Sequence, residues 1–248
     1  MSKHKVSWHS HRVNRDITVV RWGVMGTPVL LYPTAGGDAE EVERFHMIDA
    51  LSDLLAAGRI KVYSLDSLAA RQWLTDGRVT PLAGRVHNEF HECLMHEIVP
   101  FIRNDCGGDG NRDIVTAGAS IGAFNALASV CRHPEVFSLA ICLSGTYDLT
   151  KFLQGPVDAG FWRASPLHFL PSQPEGQLLQ RLRQRYVLLV HGEGRAESPE
   201  ESWKVAHCLG AKGVPNRVVS WGQDWAHDWV TWRRMLPQYL GELVGAAR

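Results

Sequence analysis

A serine flanked by two glycines lies between a predicted strand and a predicted helix near the middle of the chain. Residues 113–117 form a short, largely apolar run that indicates a buried strand, and Gly118-Ala-Ser120-Ile-Gly122 follows directly. Apolar residues then recur at helical spacing, at positions 121, 124, 127 and 131. Glycines at 118 and 122 allow strand and helix to pass closely, so the sharp turn between them exposes the Ser120 hydroxyl. The alternative is a serine that only caps the helix.

The rest of the chain alternates between short apolar runs and amphipathic segments after an initial β meander at residues 6–32. Strands are predicted at residues 29–32, 60–65, 113–117, 139–143, 186–190 and 217–221. Helices are predicted at residues 38–55 and 84–104, after residue 120, and from residues 198 and 228. This alternation predicts an α/β fold with a mostly parallel central sheet and helices on both faces. No repeat or linker divides residues 1–248, which are therefore predicted to form one domain.

Two local signals refine the first two of these helices. Asp38 and Glu41 form a pattern typical of a capping box at the start of the first helix. Pro100 is expected to kink the second helix, because proline lacks the N–H group and its ring clashes with the preceding turn.

Residues 148–185 interrupt the alternation. The segment combines prolines at positions 156, 166, 171 and 174 with aromatic side chains at positions 152, 161, 162 and 169. Long irregular insertions of this kind are often functional. We predict that the segment forms a partial lid over the site. The alternative, a loop whose aromatic side chains pack on the domain, stays open.

Composition disfavours several classes of partner. The formal net charge of the chain is zero, so neither a nucleic acid nor an acidic membrane surface is expected as a partner.

The five cysteines include no C-x-x-C pair, which indicates free thiols in a reducing compartment and no structural zinc. No secretory signal is recognisable, and no apolar run approaches the roughly 18 residues needed to cross a bilayer. A cytoplasmic protein is therefore expected, and the sequence allows a homo-oligomer.

A serine hydroxyl becomes a useful nucleophile when a base and an orienting acid lie within hydrogen-bonding reach. After a strand–Ser–helix turn, the expected order along the chain is Ser, acid, His, with both partners in loops that follow later strands. His227 meets this requirement, because it follows the last predicted strand and directly precedes the last predicted helix. The loop after the preceding strand offers Glu193 and Glu197 as acids. Glu200 and Glu201 belong instead to the first turn of the next helix.

Acyl transfer also needs hydrogen-bond donors for the negative charge that develops on the carbonyl oxygen. The backbone N–H of Ile121 is one candidate, because this residue begins the helix after Ser120. The second donor is expected in the turn after the strand at 29–32, with Ala35 preferred and Thr34 as the alternative. A tight turn without a catalytic role is the competing interpretation of this loop. A phosphate-binding loop is disfavoured, because no G-x-x-x-x-G-K-[ST] motif occurs.

A metal site is a competing interpretation of the histidines at positions 87, 91 and 96. His91 and Glu92 resemble the start of a zinc-binding helix, but His96 is five residues from His91. At about 100° per residue the two rings would point about 140° apart, whereas H-E-x-x-H needs a spacing of four. We therefore predict no metal, and we interpret His87 and His91 as part of a solvated polar helix face. No cofactor is expected.

With these residues identified, the chain resembles the putative-esterase family of α/β-hydrolases over about residues 15–242. This family groups S-formylglutathione hydrolase (esterase D), feruloyl and enterochelin esterases, and mycolyltransferases. The resemblance is carried by residues 33–38 (Pro-Thr-Ala-Gly-Gly-Asp), Asp66-Ser67 with Trp73, residues 97–102 (Glu-Ile-Val-Pro-Phe-Ile), residues 118–122, Phe137 with Ser144-Gly145, and residues 227–232 (His-Asp-Trp-Val-Thr-Trp).

The resemblance implies an α/β-hydrolase fold in which Ser120 is the nucleophile and His227 is the base. It also implies that Ala35 and Ile121 donate the N–H groups of the oxyanion hole. The leading hypothesis is a serine esterase that cleaves small-molecule carboxylic esters through a Ser-His-Glu triad and an acyl-enzyme intermediate. The alternatives are acyl transfer to an alcohol or sugar by the same triad, and a non-catalytic binding protein that kept the pocket.

The acid of the triad is inferred less directly. Family members similar to mycolyltransferases place a glutamate a few residues after a G-x-G, similar to Gly192-Glu-Gly-Arg-Ala-Glu197. This similarity favours Glu197 over Glu193, which stays the alternative. The chain departs from the family pattern in lacking a clear G-x-x-D acid and in having Ile121 where many members have methionine.

Overall fold

The computed structural model describes residues 2–67, 81–152 and 157–245, and eight strands in these ranges form one sheet. The strands are β1 (Lys3–Ser10), β2 (Arg15–Trp22), β3 (Thr27–Tyr32), β4 (Ile60–Leu65), β5 (Ile114–Ala119), β6 (Phe137–Leu143), β7 (Tyr186–His191) and β8 (Asn216–Ser220). Their order across the sheet is β1-β2-β4-β3-β5-β6-β7-β8. Strand β2 is antiparallel to β1 and β4, and the remaining neighbouring strands pair in parallel.

Helices connect the strands and cover the sheet. They are α1 (Glu41–Arg44), α2 (Met47–Ala50), α3 (Ser52–Ala56), α4 (Pro81–Cys93), α5 (Val99–Asp105), α6 (Ile121–Arg132), α7 (Ala159–Ala164), α8 (Pro166–Ser172), α9 (Gln177–Leu182), α10 (Pro199–Ala211) and α11 (Trp229–Leu243). A π-helical segment (Leu94–Ile98) joins α4 to α5, and a 3₁₀ turn spans Leu149–Phe152. In the part of the chain that the structure describes, no helix has the length and apolar character needed to span a membrane.

The side chains of the central strands divide the core into two layers, one on each face of the sheet. Leu30 and Tyr32 of β3 belong to the layer that contains residues of α4 and α6. Val29 and Leu31 belong to the layer that contains residues of α2, α3 and α11. Successive side chains of a strand point to opposite faces, so a continuous apolar strand needs cover on both. The predicted α/β fold, with a mostly parallel sheet between two helical layers, is confirmed.

The region predicted as one helix, residues 38–55, contains three short helices instead. His46 interrupts the helical path, because its φ of 60° lies in the left-handed region. The expected capping box is absent as well. No side chain caps α1, and the Glu41 carboxylate binds Thr34 in the loop after β3. The prediction of a single capped helix was therefore wrong.

Pro100 perturbs its helical region at the turn that precedes it. Residues Leu94–Ile98 are π-helical, and Pro100 lies in the first turn of α5. A π-helical turn widens the helix locally, which relieves the clash between a proline ring and the turn before it. The helix type therefore changes just before Pro100, and the kink stays a prediction.

The aromatic residues of the 148–185 segment are divided between the core and the surface. Phe161 of α7 and Phe169 of α8 are buried in the layer with α4 and α6. Trp162, by contrast, is 40% exposed. Phe152 is partly buried and packs against the same layer. Packing on the body of the protein therefore accounts for three of these four aromatic side chains, and a lid over the site stays a prediction. Two residues named above lie outside the described residues, Trp73 and Pro156.

Candidate active site

Ser120 lies in a strained turn between β5 and α6. Its φ of 56° and ψ of −122° form a combination that residues with a side chain rarely adopt. The flanking glycines make the turn possible. A Cβ on Gly118 would lie 2.4 Å from the carbonyl group of Gly122, and a Cβ on Gly122 would lie 2.7 Å from the carbonyl oxygens of Tyr32 and Pro33. The turn is thus packed against the end of β3.

Backbone hydrogen bonds also fix this turn to the end of β6. The Ser120 N–H donates to the carbonyl of Leu143 at 2.9 Å, and the Ser120 carbonyl accepts from the Thr146 N–H at 3.2 Å. Strands β5 and β6 are parallel neighbours, so the residues that follow them lie at the same edge of the sheet. Ser120, which is half-buried, therefore stands at the carboxyl edge, where open α/β sheets bind their ligands.

His227 lies in the loop between β8 and α11, and both its backbone and its ring are held. Its N–H donates to the carbonyl of Arg195 at 3.0 Å, which joins this loop to the one after β7. Its ring meets the Trp232 ring edge-on, with the ring centroids 5.1 Å apart. The neighbouring Asp228 accepts the N–H of Thr231 at 3.0 Å, so its carboxylate caps α11.

Glu197 is the carboxylate that the structure brings to His227. Its Oε2 lies 3.9 Å from the Nδ1 of His227, and the Glu197 side chain is 1% exposed, against 22% for His227. Its Oε1 accepts a hydrogen bond from the Ser144 hydroxyl at 2.5 Å. Glu193 is exposed, and its Oε1 accepts from the Ser220 hydroxyl at 2.6 Å. Of the two acids that the sequence leaves open, Glu197 therefore lies beside the imidazole and Glu193 does not.

The two glutamates of the first turn of α10 differ from each other. Glu200 is exposed, whereas Glu201 is buried. The Glu201 Oε2 accepts the backbone N–H groups of Tyr147 and Asp148, at 2.8 and 2.7 Å. Its Oε1 lies 3.3 Å from the Nζ of Lys204. Glu201 therefore anchors the loop after β6, a role that its place in the helical turn did not indicate.

The loop after β3 holds its two candidate donors in different ways. The Thr34 N–H donates to Glu41 Oε2 at 2.6 Å, and the Thr34 hydroxyl donates to Oε1 at 2.8 Å. Burial raises the pKa of the Glu41 carboxyl, although its hydrogen bonds with Thr34 act in the opposite direction. Ala35 is exposed, and its N–H has no acceptor among the described residues. Thr34 is thus committed to the loop itself, whereas the Ala35 N–H can bind a ligand.

The serine and the histidine are connected through the end of β6. In the described part of the chain, no hydrogen bond joins the Ser120 hydroxyl to the His227 ring. Leu143 accepts the Ser120 N–H, and the next residue, Ser144, donates to Glu197 beside His227. Catalytic hydrogen bonds are often long or poorly aligned in the absence of substrate, and they tighten when it binds.

Ser144 was named from the sequence as part of the family resemblance and was given no role in the site. This residue is 3% exposed, with a φ of 45°. Its hydroxyl accepts from the indole N–H of Trp232 at 2.9 Å and donates to Glu197. One signal could have found it, since Ser144 is the first residue after the strand predicted at 139–143, at the edge of the sheet where Ser120 lies.

The histidines on α4 are buried, so the prediction of a solvated face was wrong. His87 is 0% and His91 is 1% exposed, because this face of α4 lies against α6, where His87 Nε2 is 3.2 Å from Asn125 Oδ1. Burial lowers the pKa of His87 to about 3 and holds the pKa of His91 well below its ordinary value. Among the described residues, no group of three or more His, Cys, Asp or Glu side chains is arranged to hold a metal ion.

Comparison with known protein families identifies the relatives of this chain. A family sequence model described as "Putative esterase" matches residues 70–243, well over half of the chain. The chain belongs to the putative esterase family. The predicted family resemblance and the predicted esterase class are thereby confirmed. No curated protein sequence matches the chain.

Solved structures with the same fold agree with membership of the putative esterase family. A ferulic acid esterase is 16% identical, with a TM-score of 0.73 over 98% of this chain and 97% of that one. S-formylglutathione hydrolase from Staphylococcus aureus is 13% identical, with a TM-score of 0.72 over 98% and 96% of the two chains. MPT51 from Mycobacterium tuberculosis is 18% identical, with a TM-score of 0.70 over the full length of both chains. These likenesses confirm the predicted α/β-hydrolase fold.

Proposed function

We propose that this member of the putative esterase family hydrolyses small-molecule carboxylic esters, with Ser120 as nucleophile, His227 as general base and Glu197 as the acid that orients the base. One observation carries the proposal. A serine in an elbow-type turn and an imidazole beside a buried carboxylate both follow strands that end at one edge of the sheet. The serine needs the imidazole, because a serine hydroxyl is a weak nucleophile until a base takes its proton.

Acylation begins when the Ser120 oxygen attacks the ester carbonyl carbon while the Nε2 of His227 takes the hydroxyl proton. The negative charge of Glu197, beside Nδ1, stabilises the imidazolium that forms. The carbonyl oxygen becomes an oxyanion, for which the N–H groups of Ala35 and Ile121 are the proposed donors. The intermediate then collapses: the bond to the alcohol oxygen breaks, the imidazolium gives that oxygen its proton, and the acyl group stays on Ser120.

Deacylation repeats these steps with water. Water attacks the acyl carbon while His227 takes one of its protons, and a second tetrahedral intermediate forms at the same donors. Its collapse releases the carboxylic acid, and His227 returns the proton to the Ser120 oxygen. An alcohol that replaced water in this step would turn hydrolysis into acyl transfer.

The proposal extends to the organisation and location of the protein. In this proposal residues 1–248 form one domain, and residues 148–185 form a partial lid. All five cysteines are free thiols, which supports a reducing compartment such as the cytoplasm. Burial raises the pKa of Cys93 to about 11 and that of Cys142 to about 12, so these two thiols are unreactive at neutral pH.

Removal of the nucleophile tests the proposal. Ser120→Ala is expected to lower the hydrolysis of p-nitrophenyl acetate below roughly 1% of the wild-type rate, because no acyl-enzyme can form. Mass spectrometry of protein treated with a fluorophosphonate should find the adduct on Ser120 in the wild type and none in the variant. Ser138→Ala, at the opposite end of β6, is the matched control and should keep the wild-type rate.

Two results would contradict parts of the proposal. Substantial turnover by Ser120→Ala would remove Ser120 as the nucleophile. Reaction of the wild type with an ester in the presence of added alcohols would distinguish hydrolysis from acyl transfer. If new esters form in preference to free acid, the protein is an acyltransferase and not a hydrolase.

A further inference from the structure

We propose that Ser144 is a positioning residue for the acid of the triad: its hydroxyl, oriented by Trp232, holds Glu197 beside His227. This inference rests on the proposed function and adds to it a residue that touches neither substrate nor the reacting atoms.

Ser144 presents its hydroxyl from a rigid part of the sheet edge. Its N–H donates to the carbonyl of Val190, on the neighbouring strand β7, at 2.7 Å. The residue is buried, and its φ of 45° lies in the left-handed region that serine rarely adopts. Such a backbone conformation persists only where the surrounding structure determines it. The hydroxyl is therefore held from two strands rather than from a free loop.

The chemistry of the partners fixes the direction of the hydrogen bonds. The indole Nε1 of Trp232 can only donate, so the Ser144 oxygen, 2.9 Å away, is the acceptor. The Ser144 proton is then available to Glu197, whose Oε1 lies 2.5 Å away. Oε1 accepts the hydrogen bond from the Ser144 hydroxyl, and Oε2 is left for the Nδ1 of His227. The same Trp232 ring also packs edge-on against His227, so one side chain orients both the base and the support of the acid.

The burial of Glu197 makes this support necessary. Its side chain is 1% exposed, and in the described part of the chain the partners of its carboxylate are the Ser144 hydroxyl and, at 3.9 Å, the His227 ring. Without the hydroxyl, one charged oxygen would be buried with no donor, which costs more than an ordinary hydrogen bond gains. The carboxylate would move to find another donor, and the His227 ring would lose its fixed partner.

Two substitutions separate this role from a purely structural one. Ser144→Ala and Ser144→Gly both remove the hydroxyl, but glycine adopts the positive φ without strain. Ser144→Gly should therefore have a higher midpoint of thermal unfolding than Ser144→Ala. We expect both variants to lose activity to the same extent. The kcat for p-nitrophenyl acetate and the rate constant for fluorophosphonate labelling of Ser120 should fall roughly 10- to 100-fold, with KM changed less than about threefold.

Trp232→Phe provides an independent measurement. It keeps an aromatic ring beside His227 and removes the N–H that orients the Ser144 hydroxyl. A fall of about 3- to 10-fold in both rates is expected, smaller than the effect at Ser144, because the hydroxyl itself remains.

The outcomes distinguish this inference from the proposed function. A Ser144→Gly variant that turns over and labels at the wild-type rate would overturn the inference and leave the hydrolase proposal intact. Activities that follow the thermal midpoints, high for glycine and low for alanine, would also overturn it, since they indicate a structural role. If neither Ser144 variant folds, an unchanged labelling rate in Trp232→Phe would overturn it. A wild-type protein that neither hydrolyses esters nor reacts with the fluorophosphonate would overturn both proposals.

Discussion

Two buried glutamates flank the strand that leads to Ser120, and their surroundings differ. Glu197 follows β7, two strands from β5 on one side, and Glu41 lies under the loop after β3, the neighbour of β5 on the other side. Glu197 has a hydroxyl on one oxygen and an ionisable ring 3.9 Å from the other. Glu41 has both oxygens bound by Thr34, and within the described ranges it forms no ion pair.

This difference distinguishes the proposed roles of the two carboxylates. Glu197 acts through its negative charge, whereas Glu41 acts as a hydrogen-bond acceptor that holds a loop in place. In the proposed mechanism, the charge of Glu197 stabilises the imidazolium of His227, which exists only during the reaction. Glu41 instead fixes the backbone that carries the proposed Ala35 donor, and burial raises its pKa because the charged form is disfavoured there. A neutral glutamine of the same shape should therefore be damaging at 197 and tolerated at 41.

Loss of the charge at 197 should give the largest effect. Glu197→Gln is expected to lower kcat/KM for p-nitrophenyl acetate by roughly 10²- to 10⁴-fold, because the imidazolium loses its counter-charge. Glu193→Gln is the matched control, since Glu193 binds Ser220 and lies away from the imidazole. It should stay within about twofold of the wild type. A comparable loss in Glu193→Gln, with Glu197→Gln active, would reassign the acid.

Substitutions at 41 should separate shape from charge. Glu41→Ala removes the acceptor for the Thr34 N–H, so the loop loses its support and kcat is expected to fall about 10- to 100-fold. Glu41→Gln can accept that N–H and donate to the Thr34 hydroxyl, and it should stay within about threefold of the wild type. Steady-state kinetics of the two variants would test this. If Glu41→Gln were as impaired as Glu197→Gln, the proposed distinction between the two carboxylates would be wrong.

The smallest effect should appear in the pH dependence of stability. The pKa of Glu41 is raised by burial above its ordinary value of 4.5. Between the ordinary pKa of the unfolded state and the raised pKa of the native state, the native state binds more protons than the unfolded state. The wild-type free energy of unfolding therefore falls as pH rises through this range. Glu41→Gln lacks the group. Urea unfolding from pH 4 to 7 should therefore find the variant gaining stability relative to the wild type as pH rises.

A second glutamate provides a control of opposite sign. Hydrogen bonds from Lys3 and Lys5 lower the pKa of Glu40, so its contribution to stability is lost as pH falls through that lowered value. Glu40→Gln should lose stability relative to the wild type as pH rises. Equal slopes for Glu40→Gln and Glu41→Gln would contradict the opposite directions of the two pKa shifts.

The sheet was predictable from the sequence, because its central strands are continuous apolar runs bounded by turns. The helix after β3 was not, because contacts of the folded state overrode one local signal and because one residue adopts an unexpected backbone conformation. The Asp38 and Glu41 pattern indicated a capping box, but the Glu41 carboxylate binds Thr34 instead. His46 adopts a left-handed backbone conformation that a histidine in the sequence does not predict. His87 and His91 misled for a similar reason, because polarity alone did not reveal their burial against α6.

The candidate site was predictable in part. Chain order after the elbow indicated Ser120 and His227 as candidates, but spacing could not decide between two glutamates four residues apart. The turn before Glu197 contains Ala196 at a φ of 64°, a conformation that alanine gives no reason to expect. The contacts of Ser144 span 53 residues to Glu197 and 88 to Trp232. Only tertiary structure brings such distant residues together.

The close approach of Gly122 to the carbonyls of Tyr32 and Pro33 joins the turn at Ser120 to the loop that carries Ala35. The two segments share one backbone framework, so neither can shift outward to admit a bulkier acyl group without displacing the other. A change in acyl preference is therefore expected from substitutions of side chains near Ser120, with this backbone framework unchanged.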